Sequence, residues 1–214
     1  MIPNHFHAVW VGPPLPDAFR KFMEGWRRLH PAWGFTLWAQ ECELPPMRNQ
    51  DLYDRAEELC PGFEGQLRSD IARLEILHTH GGVYVDTDFE AIRPIDRLLE
   101  GLDCFAAWER QDTVANNAIL GCSRGHAFIK HLIDALPASV LGNPGRRPSK
   151  VSGPHFLTAE LRKWKGEPVE VFPQKWFYPV RCDELAKLHD SECYPEAYAL
   201  HWWGNQHRLK GRPL

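Results

Sequence analysis

The apolar positions of this chain change period repeatedly, and each change marks an element. Phe6-His7-Ala8-Val9-Trp10-Val11 is a β-prone run halted by Gly12-Pro13-Pro14-Leu15-Pro16, which predicts an internal first strand. Phe19, Phe22, Met23, Trp26 and Leu29 then recur at helical spacing; a helix follows, with Asp17 as its cap, Pro31 as its stop and the aromatic stripe as core. Phe35-Thr36-Leu37-Trp38 reads as a second strand, and the broken pattern over 40–66 as loops and short helices. The clearest helix runs from Leu67 to His78, with Leu67, Ile71, Leu74 and His78 on one stripe and Gly81-Gly82 as its stop.

Val83-Tyr84-Val85 is the next strand, expected to continue through Asp86-Thr87-Asp88. Ile92–Ile95 is the edge of a small ribbon or a turn, Asp96–Leu99 opens a short helix, and Phe105–Trp108 is a strand. The run Asn116–Cys122 comes next, then a helix from His126 to about Leu136, a loop over 142–154, a helix Pro154–Trp164, a strand Val169–Phe172 and an aromatic turn Trp176–Pro179.

Candidate chemistry gathers after the Gly-Gly break. On a continuing strand, Asp86 and Asp88 point to the same face. Two neighbouring carboxylates repel unless a cation or a proton lies between them, and an oxygen-liking divalent ion relieves that repulsion. The bland alternative is a solvated turn, but the carboxyl end of an apolar strand is where α/β sheets place ligands. His201, in the late stretch Ala199–Gln206, could complete such an ion's shell, and imidazole beside carboxylates suits manganese better than calcium. Asp70 and Arg73 stand three apart on their helix, as a surface pair or as a carboxylate and guanidinium offered to a ligand. Trp10, at a strand end, could stack on a flat ring or pack in the core. The amides of Asn116 and Asn117 could bind sugar hydroxyls or cap a turn. Arg146, Arg147 and Lys150 are solvated, unless a diphosphate lies nearby and their loop acts as a lid.

Composition narrows the class. The chain has 214 residues, 43% of them hydrophobic, enough for one substantial core, so residues 1–214 are read as a single domain. A net charge of -3 lacks the basic surplus of a nucleic-acid binder. Cys42, Cys60, Cys104, Cys122, Cys182 and Cys193 contain no Cys-x-x-Cys and read as scattered core thiols in a reducing compartment. No apolar run is long enough to span a bilayer, and the start of the chain is not a signal peptide; a cytoplasmic location, with contact to the inner face of a membrane open, is expected.

Three stretches together carry a family resemblance: Ile2–Gly12, Arg68-Ser69-Asp70-Ile71-Ala72-Arg73 and Gly81-Gly82-Val83-Tyr84-Val85-Asp86-Thr87-Asp88. Asn116–Ile119, Gly125-His126, Ser152-Gly153-Pro154 and His201-Trp202-Trp203 support it in the same order. The chain resembles the DXD-motif sugar transferases of glycosyltransferase family 32. These are related to yeast initiation-type α-mannosyltransferases, bacterial capsule or lipopolysaccharide transferases and clostridial toxin glucosyltransferase cores. The resemblance implies a GT-A fold, an α/β Rossmann-like α/β/α sandwich on one mixed central sheet. It implies a retaining transfer of a hexose from a nucleotide sugar (UDP-glucose, UDP-galactose, UDP-N-acetylglucosamine or GDP-mannose) to a glycan, lipid-linked or protein acceptor, with Mn2+ or Mg2+.

In that reading Trp10 stacks on the base, with Val9 and Tyr84 beside the donor, and Asp70 and Arg73 hold sugar hydroxyls. Asp86 contacts the ribose and the metal shell, Asp88 and His201 bind the ion, Asn116 or Asn117 lies near the sugar, and Trp203 sits by the diphosphate. Retention by a same-side attack is favoured over a covalent intermediate, with Glu90, Glu109 and Asp112 as the alternative nucleophiles. The rival readings are a metal-dependent nucleotidyltransferase or phosphodiesterase, and a non-catalytic sugar-nucleotide-binding module.

Overall fold

The computed structural model describes residues 1–12, 14–39 and 43–204. Cys42, Asn205 and Gln206 lie outside the described residues. In chain order the elements are β1 (His5–Val9), α1 (Asp17–Leu29), β2 (Gly34–Trp38), α2 (Gln50–Asp54), α3 (Ala56–Leu59), α4 (Glu64–His80), β3 (Gly82–Val85) and β4 (Phe89–Ala91). There follow β5 (Cys104–Arg110), β6 (Val114–Cys122), α5 (Ala127–Leu141), α6 (Pro148–Val151), α7 (Pro154–Lys163), β7 (Glu170–Phe172), α8 (Gln174–Phe177) and β8 (Ala199–His201).

Six strands form one mixed sheet in the order β2-β1-β3-β6-β5-β7, and β4 and β8 form a separate antiparallel ribbon. β1 runs parallel to both β2 and β3, whereas β6 is antiparallel to β3 and β5. Alternation along the strands splits the core in two. Phe6, Val83, Val85 and Ile119 share one face with Trp26 of α1, Phe89 of the ribbon and Phe177 of α8. Tyr84 and Leu120 share the other with Leu67 and Ile71 of α4, Phe128 of α5 and Phe156 of α7. The result is a three-layer α/β/α sandwich of the GT-A, Rossmann-like kind.

Several local expectations change. β3 ends at Val85, and the chain does not continue as a strand through the two aspartates. The Asp86 N–H donates to Ala118 O at 2.8 Å, and Phe89 N–H donates to Asp86 O at 3.1 Å, which closes a tight turn over Asp86–Asp88. Asp17 is the first helical residue of α1, after Pro16, and makes no cap; its charge still favours the helix start. α4 starts at Glu64, three residues before its apolar pattern begins, and it is buried on nearly every side, Asp70, Arg73 and Glu75 included. A helix clasped between a sheet and other helices has no solvent stripe to reveal its limits.

α5 continues past Leu136 through Pro137 to Leu141. A proline there leaves the carbonyl four residues earlier without its helical donor. That carbonyl, Ile133 O, accepts instead from Asn49 Nδ2 at 2.9 Å. Residues 142–154 contain α6 and are not loop throughout, α8 covers the first half of the aromatic turn, and Asn116 and Asn117 lie inside β6 and cap no turn. The ribbon strand is β4, ahead of Ile92–Ile95. Of the five described cysteines, all free, Cys60, Cys104 and Cys122 are buried as expected, Cys182 is half-buried and Cys193 is exposed.

Candidate active site

The site forms where β1 and β3 end and the antiparallel β6 begins. Gly82 opens β3 at a φ of 93°, with its backbone against β1; a Cβ there would stand 2.5 Å from His5 O. Only glycine allows that approach, which brings Trp10, after β1, to the same rim as Asp86, after β3. The ribbon then carries His201 to Asp88, because Phe89 pairs with His201 across β4 and β8.

His201 Nε2 lies 3.0 Å from Asp88 Oδ1 and 3.9 Å from Asp86 Oδ2. Asp88 Oδ2 accepts from the Gly204 N–H at 2.6 Å, and its backbone oxygen accepts from the Trp202 N–H at 2.9 Å. Trp203 makes the corner at a φ of 55°, strained for so large a residue, and its ring centroid lies 4.1 Å from that of His201. Burial holds the Asp86 carboxyl above its ordinary range, Asp88 adding to the effect and Arg73 opposing it. Burial would raise Asp88 as well, but His201 and the Gly204 N–H outweigh it and bring that carboxyl down. For His201, burial works against protonation and the two carboxylates overcome it, so its pKa is raised.

Arg73 joins this group to a second one. Its Nη2 lies 3.1 Å from Asp70 Oδ1 and 3.2 Å from Asp86 Oδ1, and its Nη1 donates to Asn117 O at 2.7 Å. Asn117 Nδ2 in turn donates to Asp70 Oδ1 at 2.8 Å. Tyr84 is fully buried beneath: its ring lies 4.4 Å below the guanidinium, and its hydroxyl donates to Asp86 Oδ1 at 2.8 Å. Asp70 and Arg73 are thus a buried network and not a surface pair.

These groups face a cleft of about 460 Å3. Val9, Trp10, Asp70, Arg73, Asp86, Asp88, Asn116, Asn117, His201 and Trp203 all line it. Tyr84 does not; it supports Asp86 from below. None of the three alternative nucleophiles lines it either. Glu109 accepts from Asn116 Nδ2 at 2.8 Å and from the Cys182 thiol, Glu90 accepts from Trp202 Nε1 and Ser191, and Asp112 is exposed beyond β5. Sequence reasoning gave no site role to Phe19, Ser69, Ser152 and Gly204, of which all but Ser152 line the cleft or hold Asp88 and Ser152 holds Asp70. Phe19 looked like one more core residue of α1, and Ser152 and Gly204 act through a single hydroxyl and a single N–H, which leave no periodic mark.

Among the described residues, Asp86, Asp88 and His201 form a group able to hold a metal ion, their ligand atoms all within 4.8 Å of one another. In an octahedral shell with bonds of about 2.1 Å, neighbouring ligands stand about 3.0 Å apart and opposite ones about 4.2 Å. The 3.0 Å between His201 and Asp88 fits the first spacing, and the 3.9 Å to Asp86 lies between the two. The other ring nitrogen, His201 Nδ1, is buried with no hydrogen-bond partner among the described residues. Two carboxylate oxygens and an imidazole nitrogen are a donor set for a divalent ion.

Known proteins resemble this chain. A family model described as a glycosyltransferase sugar-binding region containing a DXD motif matches residues 16–105. Inositol phosphoceramide mannosyltransferase 3 of Schizosaccharomyces pombe is 25% identical over 94% of this chain, and the chain spans 60% of that relative's length. Among solved structures, the PaToxG glycosyltransferase superposes with a TM-score of 0.61 at 16% identity, over 76% of this chain and 69% of its own. The galactosyltransferase LgtC, in complex with donor and acceptor sugar analogs, gives 0.54 at 14% identity, over 92% and 87%. The chain therefore has a GT-A fold and is related to the glycosyltransferases whose sugar-binding region carries a DXD motif.

Proposed function

We propose that residues 1–214 act as one metal-dependent, retaining glycosyltransferase unit that moves a hexose from a nucleotide sugar to an acceptor hydroxyl. The observation that carries this is the junction at Asp86, whose carboxylate belongs at once to the ion-holding trio and to the Asp70–Arg73 network. One end of the cleft suits a metal diphosphate, and the adjoining end offers a carboxylate, a guanidinium and two amides to a sugar. A divalent ion held by Asp86, Asp88 and His201 supplies positive charge for the departing diphosphate. Trp10 stacks on the base, Asp70 and Arg73 orient the sugar, and Trp203 shields the diphosphate side from water. No spare carboxylate of the described residues lines the sugar end, which favours same-side attack over a covalent intermediate.

The finer reading, glycosyltransferase family 32, is supported by the stretches Arg68–Arg73 and Gly81–Asp88. The acceptor is a glycan, a lipid-linked sugar or a protein; the fission-yeast relative is named for an inositol phosphoceramide acceptor. No described helix is long and apolar enough to cross a membrane, and action at the cytoplasmic face of one suits a lipid-linked acceptor. The test is release of free nucleotide diphosphate from a panel of nucleotide sugars with Mn2+. One donor should be turned over, and Asp88→Ala should abolish the Mn2+-stimulated release. Donor binding without turnover would make the protein a binding module, and unchanged release in Asp88→Ala would remove the ion from Asp88.

A further inference from the structure

Asp70 is held by a residue on an element that the reading above leaves idle. Its Oδ1 accepts from Asn117 Nδ2 and lies 3.1 Å from Arg73 Nη2, while Oδ2 accepts from Ser152 Oγ at 2.7 Å. Ser152 Oγ also lies 3.2 Å from Pro148 O, but a hydroxyl has one proton, and the shorter, charged partner takes it. An ionised carboxylate has about four acceptor positions. Oδ1 takes the Asn117 amide and faces the Arg73 guanidinium, and on Oδ2 the Ser152 hydroxyl leaves one position.

Ser152 is 2% exposed and forms the corner between α6 and α7. That corner packs directly on the carboxylate: a Cβ at Gly153 would stand 3.4 Å from Asp70 Oδ2. Pro148, Ser149 and Pro154 on either side line the cleft. The strap over 142–153 has other ties, from Cys60 Sγ to Arg146 O at 3.4 Å and from Ser139 Oγ to Val151 O at 2.7 Å. Among the described residues, only the Ser152 bond joins it to a side chain placed at the sugar end.

We infer that Ser152 is a positioning residue for the donor sugar: its hydroxyl latches the strap onto Asp70 and leaves Oδ2 a single acceptor position, for one sugar hydroxyl. The donor-sugar part rests on the glycosyltransferase reading; the latch does not. Without the Ser152 hydroxyl, Oδ2 loses its fixed direction and the strap loses its tie to α4.

Trypsin reads the latch with no donor present, because Arg146 and Lys150 are exposed within the strap. Ser152→Ala, and Ser152→Cys, which keeps the volume and weakens the donor, should both be nicked there several-fold faster than wild type. In an Asp70→Ala background, where the latch has no acceptor, Ser152→Ala should add nothing to the nicking rate. With the best nucleotide sugar, kcat/KM of Ser152→Ala should fall about tenfold or more, the size expected for a lost bond to a charged group. Unchanged nicking in both variants, or an equal increase in the Asp70→Ala background, overturns the latch. Faster nicking with unchanged kcat/KM overturns the donor role alone. A wild-type protein that turns over no nucleotide sugar sinks the glycosyltransferase reading and the donor role with it, while the nicking rates still decide the latch.

Discussion

Asp88 has two unlike oxygens. Oδ2 is satisfied by the Gly204 N–H, so only Oδ1 is turned toward His201 and Asp86. The two carboxylates outweigh burial and raise the His201 pKa, so the ring holds its proton more tightly than a free imidazole does. A metal ion takes the neutral ring, so binding must release that proton, and affinity must fall as pH drops through the raised pKa. Calorimetry of Mn2+ binding at pH 6.5 in two buffers of different ionisation enthalpy should therefore give different apparent heats. In His201→Ala the difference should largely vanish; equal heats in the wild type would place the ion elsewhere. At this scale the residue types spoke clearly, since a DXD and a late histidine are chemically distinctive. Ser152 and Gly204 did not, because a hydroxyl or an N–H gains a role only from the neighbour it meets.

At the scale of elements, β1 is locked to its neighbours by one uncharged histidine. Trp38 Nε1 donates to His7 Nδ1 at 3.2 Å, which leaves His7 Nε2–H to donate to Gly81 O at 3.0 Å. The same ring thus ties β1 to β2 and to the Gly-Gly turn before β3. A proton on Nδ1 would set two donors face to face. Burial first, and then the neighbouring His5, push the His7 pKa down from 6.5 to about 3. The unfolded chain therefore binds the proton more readily, and stability is complete above pH 6.5 and lost as pH falls toward 3. The loss should reach about 2 kcal/mol by pH 5. Urea unfolding at pH 7 and pH 5 measures it, and His7→Gln should flatten the difference. An equal pH dependence in the variant would move the effect to other groups. His5 and His80, both lowered chiefly by burial, act in the same direction.

Across the whole molecule, the cleft is assembled from both layers that flank the sheet. Phe19 comes from α1 on one side, Asp70 and Arg73 come from α4 on the other, and His201 comes from the ribbon. A ligand that bridges them can bind only the folded chain. Nucleotide sugar with Mn2+ at about 100 times Kd should add about 2.7 kcal/mol, or about 5–10 °C in Tm for a chain of this size. Differential scanning fluorimetry tests this, with Asp88→Ala as the control that should lose most of the Mn2+-dependent part. A Tm that ignores donor and ion together would count against the cleft as the donor site.

Taken alone, the sequence determined what periodicity and rare residue types can carry. The strands around Val9, Val85 and Phe105, the helices around Trp26 and Ile71 and the identity of the acidic and imidazole groups follow from local pattern, while the mixed α/β class came from the family resemblance. Only the tertiary structure decided that the two aspartates meet in a turn and not on a strand, since that depends on which backbone partner reaches Asp86. It also decided that Asp70 and Arg73 are buried, that a proline inside α5 is repaired by Asn49, and that Ser152 touches Asp70 from 82 positions away. Such contacts join residues far apart in the chain, where no repeat links the partners, and they exist only once both layers have closed on the sheet.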